Sequence, residues 1–526
     1  TAVMMAFLPT KWTHQMGVYA CIAGALAAVA TVCVDRTVMR RRRNRTLFAA
    51  ACAYVLALAF SGRNQWWYVG SYGIPWRDAV PDVKGIPVWA VILTVAVLLT
   101  LLGLWQHFRD DYVSDDVRRG EERVSKNRWT SWLRSPSIIV VSVIMLLFTL
   151  VSFAKADWTQ RHSWSWLSSN VAAVRGQPCA LADSVLVEKD VNSGLLAPAR
   201  VAGQDNPSPG AALAGAGMTG FDPNGVGSDL SDDGTESEDS STGTSSAEID
   251  RTQSDATDQT GSDTSSPSSD TAGGTTSTTG VNGSSVKLPF GLSPQRTPVL
   301  GTYGSASGTG NLTSDWYQLP ERSADSPLIT MSVAGQIEYI DDLAVTRSGQ
   351  QVRLQFGRVG PDGTVTPAGI MTPMDIGGAP AWRNLRFPLD GAPQGATVVR
   401  VLAQDTSTNS DQWLAVTPPR VSKMVTLDDL VGSEAPVMID WEAALAFPCQ
   451  RPAQVHNGVL ETPEWRISPD REGERVNSQR WMAGTAGGPL GIVENQLRPT
   501  VLPSYLRNDW AKDWGMLQRL TPLVPQ

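Results

Sequence analysis

Four long apolar runs in the first third of the chain constrain its fold more than any other feature. No charged residue occurs between Val88 and Leu104, whereas a helix of a soluble protein normally presents a polar face. A helix needs about 20 residues to cross the hydrocarbon core of a bilayer, and three of the runs approach that length. We therefore expect a polytopic, α-helical membrane region over residues 1–154, with transmembrane helices over Met16–Val34, Leu47–Phe60, Ile86–Leu104 and Ser137–Phe153. The short second run gains length from residues 61–68, which end in three aromatic residues typical of a membrane interface.

Basic residues between the runs predict the orientation of these helices. Arginines are concentrated in the first loop (residues 35–46) and the third loop (residues 105–136), while the second loop has few cations. The positive-inside rule places the two arginine-rich loops in the cytoplasm. The segment Pro9–His14 and everything after Lys155 then lie outside. Because the chain begins at Thr1 in mid-pattern and its first apolar run enters from the outside, we expect earlier helices of a longer membrane protein.

Composition divides the outer region into three parts. Residues 155–201 have the composition of an ordered segment. Residues 202–285 are dominated by Gly, Ser, Thr, Asp and Pro, which favours a disordered linker because such a segment buries too little apolar surface to offset its ordering entropy. Twelve acidic residues and one arginine lie between Ser228 and Asp270. The formal net charge of −8 is therefore a property of this linker and carries little information about partners.

Residues 286–526 show the pattern of a β-rich module. Short segments with alternating hydrophobicity are separated by turn-rich pieces such as Gly360–Gly363, and this spacing predicts an antiparallel sandwich or jelly roll. The predicted strands are Leu328–Val333, Gln351–Phe356, Asn384–Phe387, Thr397–Leu402 and Gln412–Val416. Helical segments are expected around Asp440–Ala446 and Tyr505–Leu517.

Five cysteines are present, and their positions predict one disulfide. Cys21, Cys33 and Cys52 lie in apolar runs, where cysteine behaves as a small hydrophobic residue. Cys179 and Cys449 are the two cysteines of the outer region. An oxidising compartment and a lone pair predict that they form a disulfide.

The chain contains no P-loop, dinucleotide-binding glycine motif, zinc-spaced Cys/His cluster or nucleophile elbow. Its outer region is instead rich in tryptophan. Most tryptophans belong to a core, but an exposed tryptophan flanked by carboxylates or amides suits a sugar, which has apolar faces and hydroxyl edges. Trp441, between Asp440 and Glu442, has this character, as does the segment Asn508–Trp514.

Two further positions each allow two interpretations. Pro9–His14 combines a cation, an aromatic ring and an imidazole at the mouth of a membrane helix. It suits either an interfacial anchor or a polar binding site. The carboxylate of Asp405, in a turn-like segment, suits either an ordinary Asx turn or a Ca²⁺ ligand.

Six segments together carry a family resemblance, and they are Pro9–His14, Pro178–Asp183, Leu445–Pro452, Glu464–Arg471, Gly487–Ile492 and Asp509–Gly515. With them, the chain resembles the C-terminal half of the actinobacterial cell-wall arabinosyltransferases, the Emb proteins targeted by ethambutol. The resemblance covers nearly the whole chain apart from the acidic linker. It implies the last helices of a GT-C type glycosyltransferase, followed by an all-β, jelly-roll-like carbohydrate-binding module with a disulfide and a structural Ca²⁺.

The resemblance also implies substrates and partners. The donor is decaprenyl-phosphoryl arabinose, and the acceptor is the growing arabinan of arabinogalactan or lipoarabinomannan. The expected location is the plasma membrane, as a multi-pass protein with the C-terminal module outside the cytoplasm. Further expected partners are a second Emb chain, in a homo- or heterodimer, and an acyl carrier protein, whereas no nucleic acid is expected.

Site residues follow from the matched motifs. Trp12 and His14 resemble active-site groups that contact substrate or ethambutol, and Lys11 is a hypothetical partner of the phosphate leaving group. Gln15 stands where family members often have a second histidine, so no second imidazole is inferred. The module residues with expected roles in sugar or metal binding are Asn170, Asp405, Trp441, Trp481 and Asp509.

The resemblance places the catalytic carboxylate in an earlier outer loop, outside this chain. That carboxylate would deprotonate the acceptor hydroxyl. We therefore expect the 526 residues alone to be inactive. Two alternatives remain at this point, a non-catalytic membrane-anchored carbohydrate-binding protein and a structural protein whose tryptophans pack inward.

Overall fold

A computed structural model describes the chain over residues 24–26, 28–29, 42–66, 68–77, 79–110, 137–205, 207–228, 230, 276–305, 308–440, 443–469 and 496–523. The chain divides into two compact units, 1–161 and 162–526. The predicted boundary at residue 154 falls inside a helix that continues to Thr159. The predicted first helix, Met16–Val34, lies largely outside the described residues.

The described part of the first unit contains three long helices, α1 Arg42–Ala59, α2 Val88–Asp110 and α3 Ser137–Thr159, with a 3₁₀ turn at Tyr68–Ser71 and short helical pieces at residues 24–26 and 28–29. A short hairpin of β1 Asp82–Val83 and β2 Ile86–Pro87 precedes α2. Among the described residues, the segments Val88–Arg109 and Val141–Thr159 are long and apolar enough to cross a membrane, and only 11% of each is buried. A core helix of a soluble protein would be mostly buried, so these exposed apolar surfaces fit contact with lipid.

The second apolar run extends in the opposite direction from the prediction. Helix α1 begins at Arg42 and ends at Ala59, so residues 61–66 do not continue it. The hydroxyl of Ser61 donates to the carbonyl oxygen of Leu58 at 2.8 Å, which satisfies an acceptor at the helix end. Because arginine carries a long apolar stem, Arg43 and Arg45 can lie in the first turns of α1 and still reach the headgroup region.

The second unit is built mainly of short strands with a few helices. Its helices are α4 Trp166–Val174, α5 Pro209–Ala214 and α6 Leu427–Val431, with 3₁₀ turns at Ala180–Asp183, Leu389–Gly391 and Ala444–Ala446. Its strands are β3 Val185–Glu188, β4 Leu300–Gly301, β5 Gly310–Thr313, β6 Tyr317–Gln318, β7 Leu328–Gly335, β8 Tyr339–Ile340, β9 Thr346–Arg347, β10 Gln351–Val359, β11 Val365–Met371, β12 Arg383–Pro388, β13 Val398–Asp405, β14 Leu414–Val416, β15 Met424–Thr426, β16 Val437–Ile439, β17 Val455–His456, β18 Val459–Leu460, β19 Trp465–Ser468, β20 Leu497–Leu502, β21 Ser504–Leu506 and β22 Met516–Pro522.

Two antiparallel sheets form the predicted sandwich. One has the order β11-β10-β13-β5, with β6 also paired to β13, and the other has the order β12-β7-β14-β4. Alternate residues of the central strands fill the space between the sheets because successive side chains of a strand point to opposite faces. The most deeply buried of these are Ile329, Met331, Leu354, Phe356, Leu385, Phe387, Val399 and Val401.

The second face of strand β7 is also buried, which the sequence pattern did not predict. All eight residues of β7 are buried, including the polar Thr330 and Ser332. A third sheet, β15-β3-β21, lies on this side, and Leu328 packs in one cluster with Leu186 and Tyr505 from that sheet. The sheet of β7 is therefore a middle layer between two others.

A buried ion pair connects the middle layer to the third sheet. The Glu188 carboxylate accepts hydrogen bonds from Arg420 Nε at 2.8 Å, from Ser422 Oγ at 2.8 Å and from Thr330 Oγ1 at 3.3 Å. The Tyr505 hydroxyl also donates to it. Glu188 and Arg420 are each no more than 1% exposed, so each needs the other to offset its desolvation.

The network also sets the protonation states of its members. Burial raises the pKa of Glu188, but the charge of Arg420 and the hydrogen bonds from Arg420, Tyr505 and Ser422 outweigh that effect and hold the pKa below its ordinary value. Burial, together with the charge of Glu188, raises the pKa of the Tyr505 hydroxyl well above its ordinary value. Tyr505 therefore stays protonated and keeps donating to the carboxylate.

The helix predicted at Tyr505–Leu517 is wrong, and a strand of a fourth sheet begins at the end of this segment. The order of this sheet is β16-β19-β22-β20, in which β16 and β19 run parallel. Tyr505 lies in β21 and Leu517 in β22, and the residues between them form a loop. Positive φ angles at Asn508 (62°) and Gly515 (118°) are incompatible with a continuous right-handed helix. The helix predicted around Asp440–Ala446 is reduced to the 3₁₀ turn Ala444–Ala446.

The predicted linker, residues 202–285, is wrong at both ends. Helix α5 buries Ala212 and Leu213 in the sandwich core, and Phe221 joins the same cluster. Residues 276–285 are also ordered, since Thr276 and Ser285 form a backbone hydrogen bond of 2.7 Å. The few apolar residues in a polar sequence therefore suffice to attach both ends to the module. Residues 231–275 lie outside the described part. The module accordingly includes residues 185–230 and is not confined to 286–526.

The predicted disulfide between Cys179 and Cys449 is present, with 5.0 Å between the two Cα atoms. It joins residues 270 positions apart. Asp428 lies close enough to both sulfurs to resemble a metal-ligand group, but disulfide sulfurs are not thiolates, and the thiolate is the form that binds metal. We therefore assign no metal to this group.

The Glu188 network yields a stability prediction. Substituting Glu188→Gln keeps the shape of the side chain but leaves Arg420 buried without its counter-charge, so we expect the free energy of unfolding to fall by about 3–5 kcal/mol. Urea unfolding followed by tryptophan fluorescence measures this. The matched control is Glu461→Gln, which breaks the partly exposed pair with Arg451 and should have little effect.

The same substitution should change the acid sensitivity of the fold. Because the folded pKa of Glu188 is lowered, its stabilising contribution is present above the ordinary carboxyl pKa and disappears as the pH falls through the folded value. The difference in stability between the parent and Glu188→Gln should therefore shrink at low pH. A difference that stays constant down to acid unfolding would contradict this assignment.

Candidate functional site

The loop between β21 and β22, residues 507–515, carries Asp509 and is anchored at its start by three hydrogen bonds. The backbone N–H of Arg507 donates to the carbonyl oxygen of Ser184 at 2.9 Å. The side-chain amide of Asn508 donates to the carbonyl oxygen of His162 at 3.0 Å. The hydroxyl of Ser163 donates to the carbonyl oxygen of Arg507 at 3.3 Å. We call this segment the Asp509 loop.

Two buried cations, one from the sandwich and one from the loop itself, hold the rest of the Asp509 loop. Arg386 of strand β12, 5% exposed, donates to the carbonyl oxygen of Trp510 at 2.5 Å, and its guanidinium lies 5.1 Å from the centre of the Tyr505 ring. Lys512 forms an ion pair with Asp342 at 3.0 Å. The half-buried Asp509 carboxylate is therefore presented by a loop fixed in place, as a binding residue requires.

Helix α4 carries Asn170 and begins beside the Asp509 loop. Its first turn is fixed by a capping box in which Ser165 and Ser168 exchange side-chain to backbone hydrogen bonds of 3.1 and 3.0 Å. The residues that lead into this cap, His162 and Ser163, are the ones bonded to the Asp509 loop. The side chain of Asn170 is exposed. The structure thus carries Asn170 and Asp509 on two segments that are hydrogen-bonded to each other.

The disulfide adds a third segment to this region. Cys179 follows α4, and Cys449 follows the 3₁₀ turn Ala444–Ala446. Phe447, two residues before Cys449, packs edge-on against Trp514 of the Asp509 loop with 5.8 Å between ring centres. Helix α4, the Asp509 loop and residues 443–449 are therefore linked by covalent, hydrogen-bonded and aromatic contacts.

Several predicted site residues lie outside the described residues, and they are Lys11, Trp12, His14, Trp441 and Trp481. The described flank of Trp441 corrects one expectation. Asp440 is fully buried and pairs with Arg466 at 3.1 Å, so its carboxylate is occupied within the fold and does not face a sugar. Because it also bonds through its backbone to Ala443 and Ile467, Asp440 holds the chain directly before Trp441 in place.

Buried tryptophans also correct the expectation for the segment Asn508–Trp514. Trp510 and Trp514 are 8% and 1% exposed, so neither ring offers a face for stacking against a sugar. The prior that most tryptophans are core residues holds here. Asp509 remains the residue of this segment that fits a binding role.

Asp405 ends strand β13 and is 4% exposed. One carboxylate oxygen accepts the N–H of Ser407 at 3.1 Å, which is the Asx turn considered from the sequence, and the other accepts the hydroxyl of Thr302 at 2.5 Å. No lysine, arginine or histidine in the described part of the chain pairs with it. A buried carboxylate without a protein cation fits a bound hard cation, since buried charges are normally paired or coordinate a metal.

Sequence reasoning missed the charged residues that support this region, namely Glu188, Arg386 and Arg420. Each lies in or beside a segment that reads as an ordinary half-exposed strand. In β12, Arg386 alternates with Leu385 and Phe387, which predicts that the arginine faces solvent. The cover supplied by the third sheet and the Asp509 loop is non-local, so the alternation alone does not reveal it.

Comparison with known proteins identifies the family of the chain. Residues 150–526 match the family of the EmbC C-terminal domain, and residues 1–109 match the family of the mycobacterial cell wall arabinan synthesis protein. Probable arabinosyltransferase A of Mycobacterium avium is 42% identical over 99% of this chain and 46% of its own length. Probable arabinosyltransferase C of Mycolicibacterium smegmatis is 41% identical over 99% of this chain and 45% of its own length.

A solved structure gives the same result at the level of the fold. The single-particle cryo-EM structure of arabinosyltransferase EmbB from Mycobacterium smegmatis superposes with a TM-score of 0.82 and 35% identity, covering 100% of this chain and 47% of that chain. This chain spans about half the length of the curated relatives it matches. The resemblance predicted from the six sequence segments is confirmed, and the chain belongs to the family of Emb arabinosyltransferases of cell wall arabinan synthesis.

Proposed function

We propose that this chain is part of a membrane arabinosyltransferase that transfers arabinofuranose from decaprenyl-phosphoryl arabinose to the growing arabinan of arabinogalactan or lipoarabinomannan. The observation that carries the proposal is the family match over both parts of the chain. The expected location is the plasma membrane, with several transmembrane helices of GT-C type and the C-terminal module outside the cytoplasm. The exposed apolar surfaces of α2 and α3 support membrane insertion.

In this proposal the second unit binds the acceptor. A hydroxyl-rich acceptor needs hydrogen-bond partners that are held in place. A mobile carboxylate would contribute less binding free energy, because it must be ordered when the acceptor binds. The Asp509 loop, fixed by Arg386 and Lys512, supplies such a carboxylate. Asn170 adds an exposed amide from the adjoining helix α4. Trp441 and Trp481 are proposed to add aromatic surface for the sugar.

The reaction itself requires groups from elsewhere in the enzyme. We expect a carboxylate from outside these 526 residues to deprotonate the acceptor hydroxyl as its oxygen attacks the anomeric carbon. Lys11, Trp12 and His14 are proposed to contact the donor, with Lys11 and His14 stabilising the phosphate as it leaves. Ethambutol would occupy the same region. The 526 residues alone are accordingly expected to lack activity.

The proposal extends to protein partners. A second Emb chain in a dimer and an acyl carrier protein follow from the resemblance. Among the described residues, the first turns of α1 and the end of α2 carry Arg43, Arg45 and Arg109 on the side assigned to the cytoplasm. Their positive charge is compatible with an acidic carrier protein.

The role of the Asp509 loop is tested in the full-length protein that contains this chain. Asp509→Asn removes the charge with little change of shape, and Asn170→Ala removes the amide. Because a hydrogen bond to a charged group contributes about 1.5–3 kcal/mol, we expect Asp509→Asn to lower kcat/KM about tenfold to hundredfold, mainly through a higher KM for the acceptor. The assay follows radiolabelled arabinose from decaprenyl-phosphoryl arabinose to a synthetic arabinofuranosyl oligosaccharide.

The matched control is Asp205→Asn, which neutralises an exposed aspartate outside the Asp509 loop. It should leave transfer unchanged. Equal kinetics for Asp509→Asn and Asp205→Asn would reject the acceptor-binding role of Asp509. Arabinan binding without any transfer by the full-length protein would support the alternative of a non-catalytic carbohydrate-binding protein.

Asp405 is proposed to hold a structural Ca²⁺, which would neutralise its buried carboxylate. The donor set of the site is a carboxylate and a hydroxyl, and oxygen ligands are those that Ca²⁺ prefers. We expect Ca²⁺ to raise the melting temperature of the full-length protein in detergent and EGTA to reverse the rise, since an ion at 100 times its Kd stabilises by about 2.7 kcal/mol.

Asp405→Asn should abolish the Ca²⁺-dependent rise in melting temperature. The control Asp411→Asn neutralises an exposed aspartate six residues further along the chain and should retain the rise. If both variants respond to Ca²⁺ as the parent does, Asp405 is not a ligand.

A further inference from the structure

Helix α4 presents an unpartnered apolar face. Leu167, Val171 and Val174 are 56%, 40% and 90% exposed. At 100° per residue these three positions fall within an arc of about 60° of the helix surface, so they form one continuous stripe. The opposite face is packed into the second unit through Ser169, which is 8% exposed. A contiguous exposed apolar stripe of this kind is typical of a surface that contacts a membrane or another molecule.

Chain connectivity places this stripe near the membrane. Helix α3, which is long and apolar enough to cross a bilayer, ends at Thr159, and α4 begins at Trp166. Seven residue steps reach at most about 25 Å even when fully extended. Once α3 spans the membrane, the start of α4 therefore lies within about 25 Å of the end of α3, a range that includes the headgroup region of that leaflet, which is about 5–8 Å thick.

The side chains at the end of α3 and directly after it are those of a membrane interface. Trp158 is 66% exposed, and Arg161 stacks on its ring at 5.0 Å and donates to its carbonyl oxygen at 2.8 Å. Tryptophan and arginine at the end of a membrane helix are typical of the headgroup level. Along the chain, the segment that leads from α3 to α4 therefore begins at headgroup level once α3 spans the membrane.

Charge is complementary to an anionic lipid surface as the occupant, and cover by a protein segment, including the acidic segment of this chain, is an outcome of the test below. No aspartate or glutamate occurs between Asp157 and Asp183, whereas the exposed Arg161 and Arg175 lie on either side of α4. An apolar stripe with flanking cations and no acids is the pattern of a helix that lies in the plane of an anionic membrane. Acidic side chains would be repelled by the lipid phosphates.

We propose that α4 is an interfacial helix whose face of Leu167, Val171 and Val174 inserts into the outer leaflet of the membrane. Arg161 and Arg175 bind lipid phosphates beside it. Asn170 lies about 60° from Leu167 around the helix, at the edge of the stripe, and is therefore held at headgroup level. This inference rests on the membrane insertion of α3 given under the proposed function, and its test separates the two.

The test measures membrane depth in the full-length protein reconstituted into nanodiscs that contain anionic phospholipid. A fluorophore sensitive to its surroundings is attached at Val171→Cys or Val174→Cys, with the unsubstituted protein as the background for native thiols such as Cys52. Lipids with a quencher at a shallow acyl position should quench both labels, whereas a water-soluble quencher should have little effect. Val459→Cys replaces a valine in another part of the second unit whose exposure of 70% lies between those of Val171 and Val174; it is the matched control and should be quenched only from water.

A label at Leu147→Cys in the middle of α3 separates failure of the inference from failure of membrane anchoring. Quenching of this label by lipids with a deep quencher, together with water quenching of the labels on α4, would overturn the interfacial helix and leave the anchoring intact. Protection of the α4 labels from both quenchers would also overturn it, because a protein surface then covers the stripe. No lipid quenching at position 147 would reject the anchoring itself.

The contribution of charge is tested in the same nanodiscs. Arg175→Gln should reduce lipid quenching at position 171, and replacing anionic by zwitterionic lipid should do the same in the parent protein. The control Arg296→Gln neutralises an exposed arginine elsewhere in the second unit and should have no effect. Quenching that is insensitive to both changes would overturn the role assigned to the flanking cations.

Discussion

The buried pair of Glu188 and Arg420 is the interaction on which the architecture of the second unit depends. Glu188 belongs to the third sheet, and Arg420 pairs through its backbone with Thr330 of the middle sheet. Without an opposing charge, either side chain would make the packing of these layers unfavourable by several kcal/mol. With both present, the carboxylate accepts from arginine, two hydroxyl groups and a phenol. A geometry that satisfies all of these donors fixes the third sheet at one position, and the Asp509 loop begins directly after the strand that carries Tyr505.

A second set of contacts fixes the Asp509 loop relative to the middle and third sheets. Arg386 reaches from the middle sheet to the carbonyl oxygens of the Asp509 loop and lies against the Tyr505 ring. The disulfide and the contact between Phe447 and Trp514 hold the chain that follows Trp441 in the same region. Rigidity here comes from buried charge and cross-links, and the residues proposed to touch sugar lie at the edges of that framework.

The sequence predicted the features that depend on local pattern or on composition. Its predictions of exposure were wrong where a segment distant in the chain covers the residue. Alternation located the strands of the sandwich, and compartment reasoning found the disulfide. The same alternation placed Arg386 at the surface, because nothing in Asn384–Phe387 reveals that a distant loop covers its polar face. Composition made residues 202–230 a linker, yet a few side chains such as Leu213 and Phe221 bind that segment to the core. The tryptophans of the Asp509 loop were judged by their polar neighbours, although positive φ angles at Asn508 and Gly515 turn the chain so that Trp510 and Trp514 point inward.

The proposed lipid-linked sugar donor would add a geometric requirement that bears on these features together. The phosphate of such a donor stays at headgroup level, because its polyprenyl chain cannot leave the hydrocarbon core. An acceptor-binding module attached only by a flexible segment would sample many heights above the membrane. Restricting it to the one height that suits transfer would then cost entropy in every reaction. A short connection from α3, the proposed interfacial insertion of α4 and a loop bonded directly to the residues that lead into α4 would together reduce that freedom. The proposed binding residues Asn170 and Asp509 then lie at a defined height, and the proposed acceptor chain is presented to the donor in a membrane plane that both substrates share.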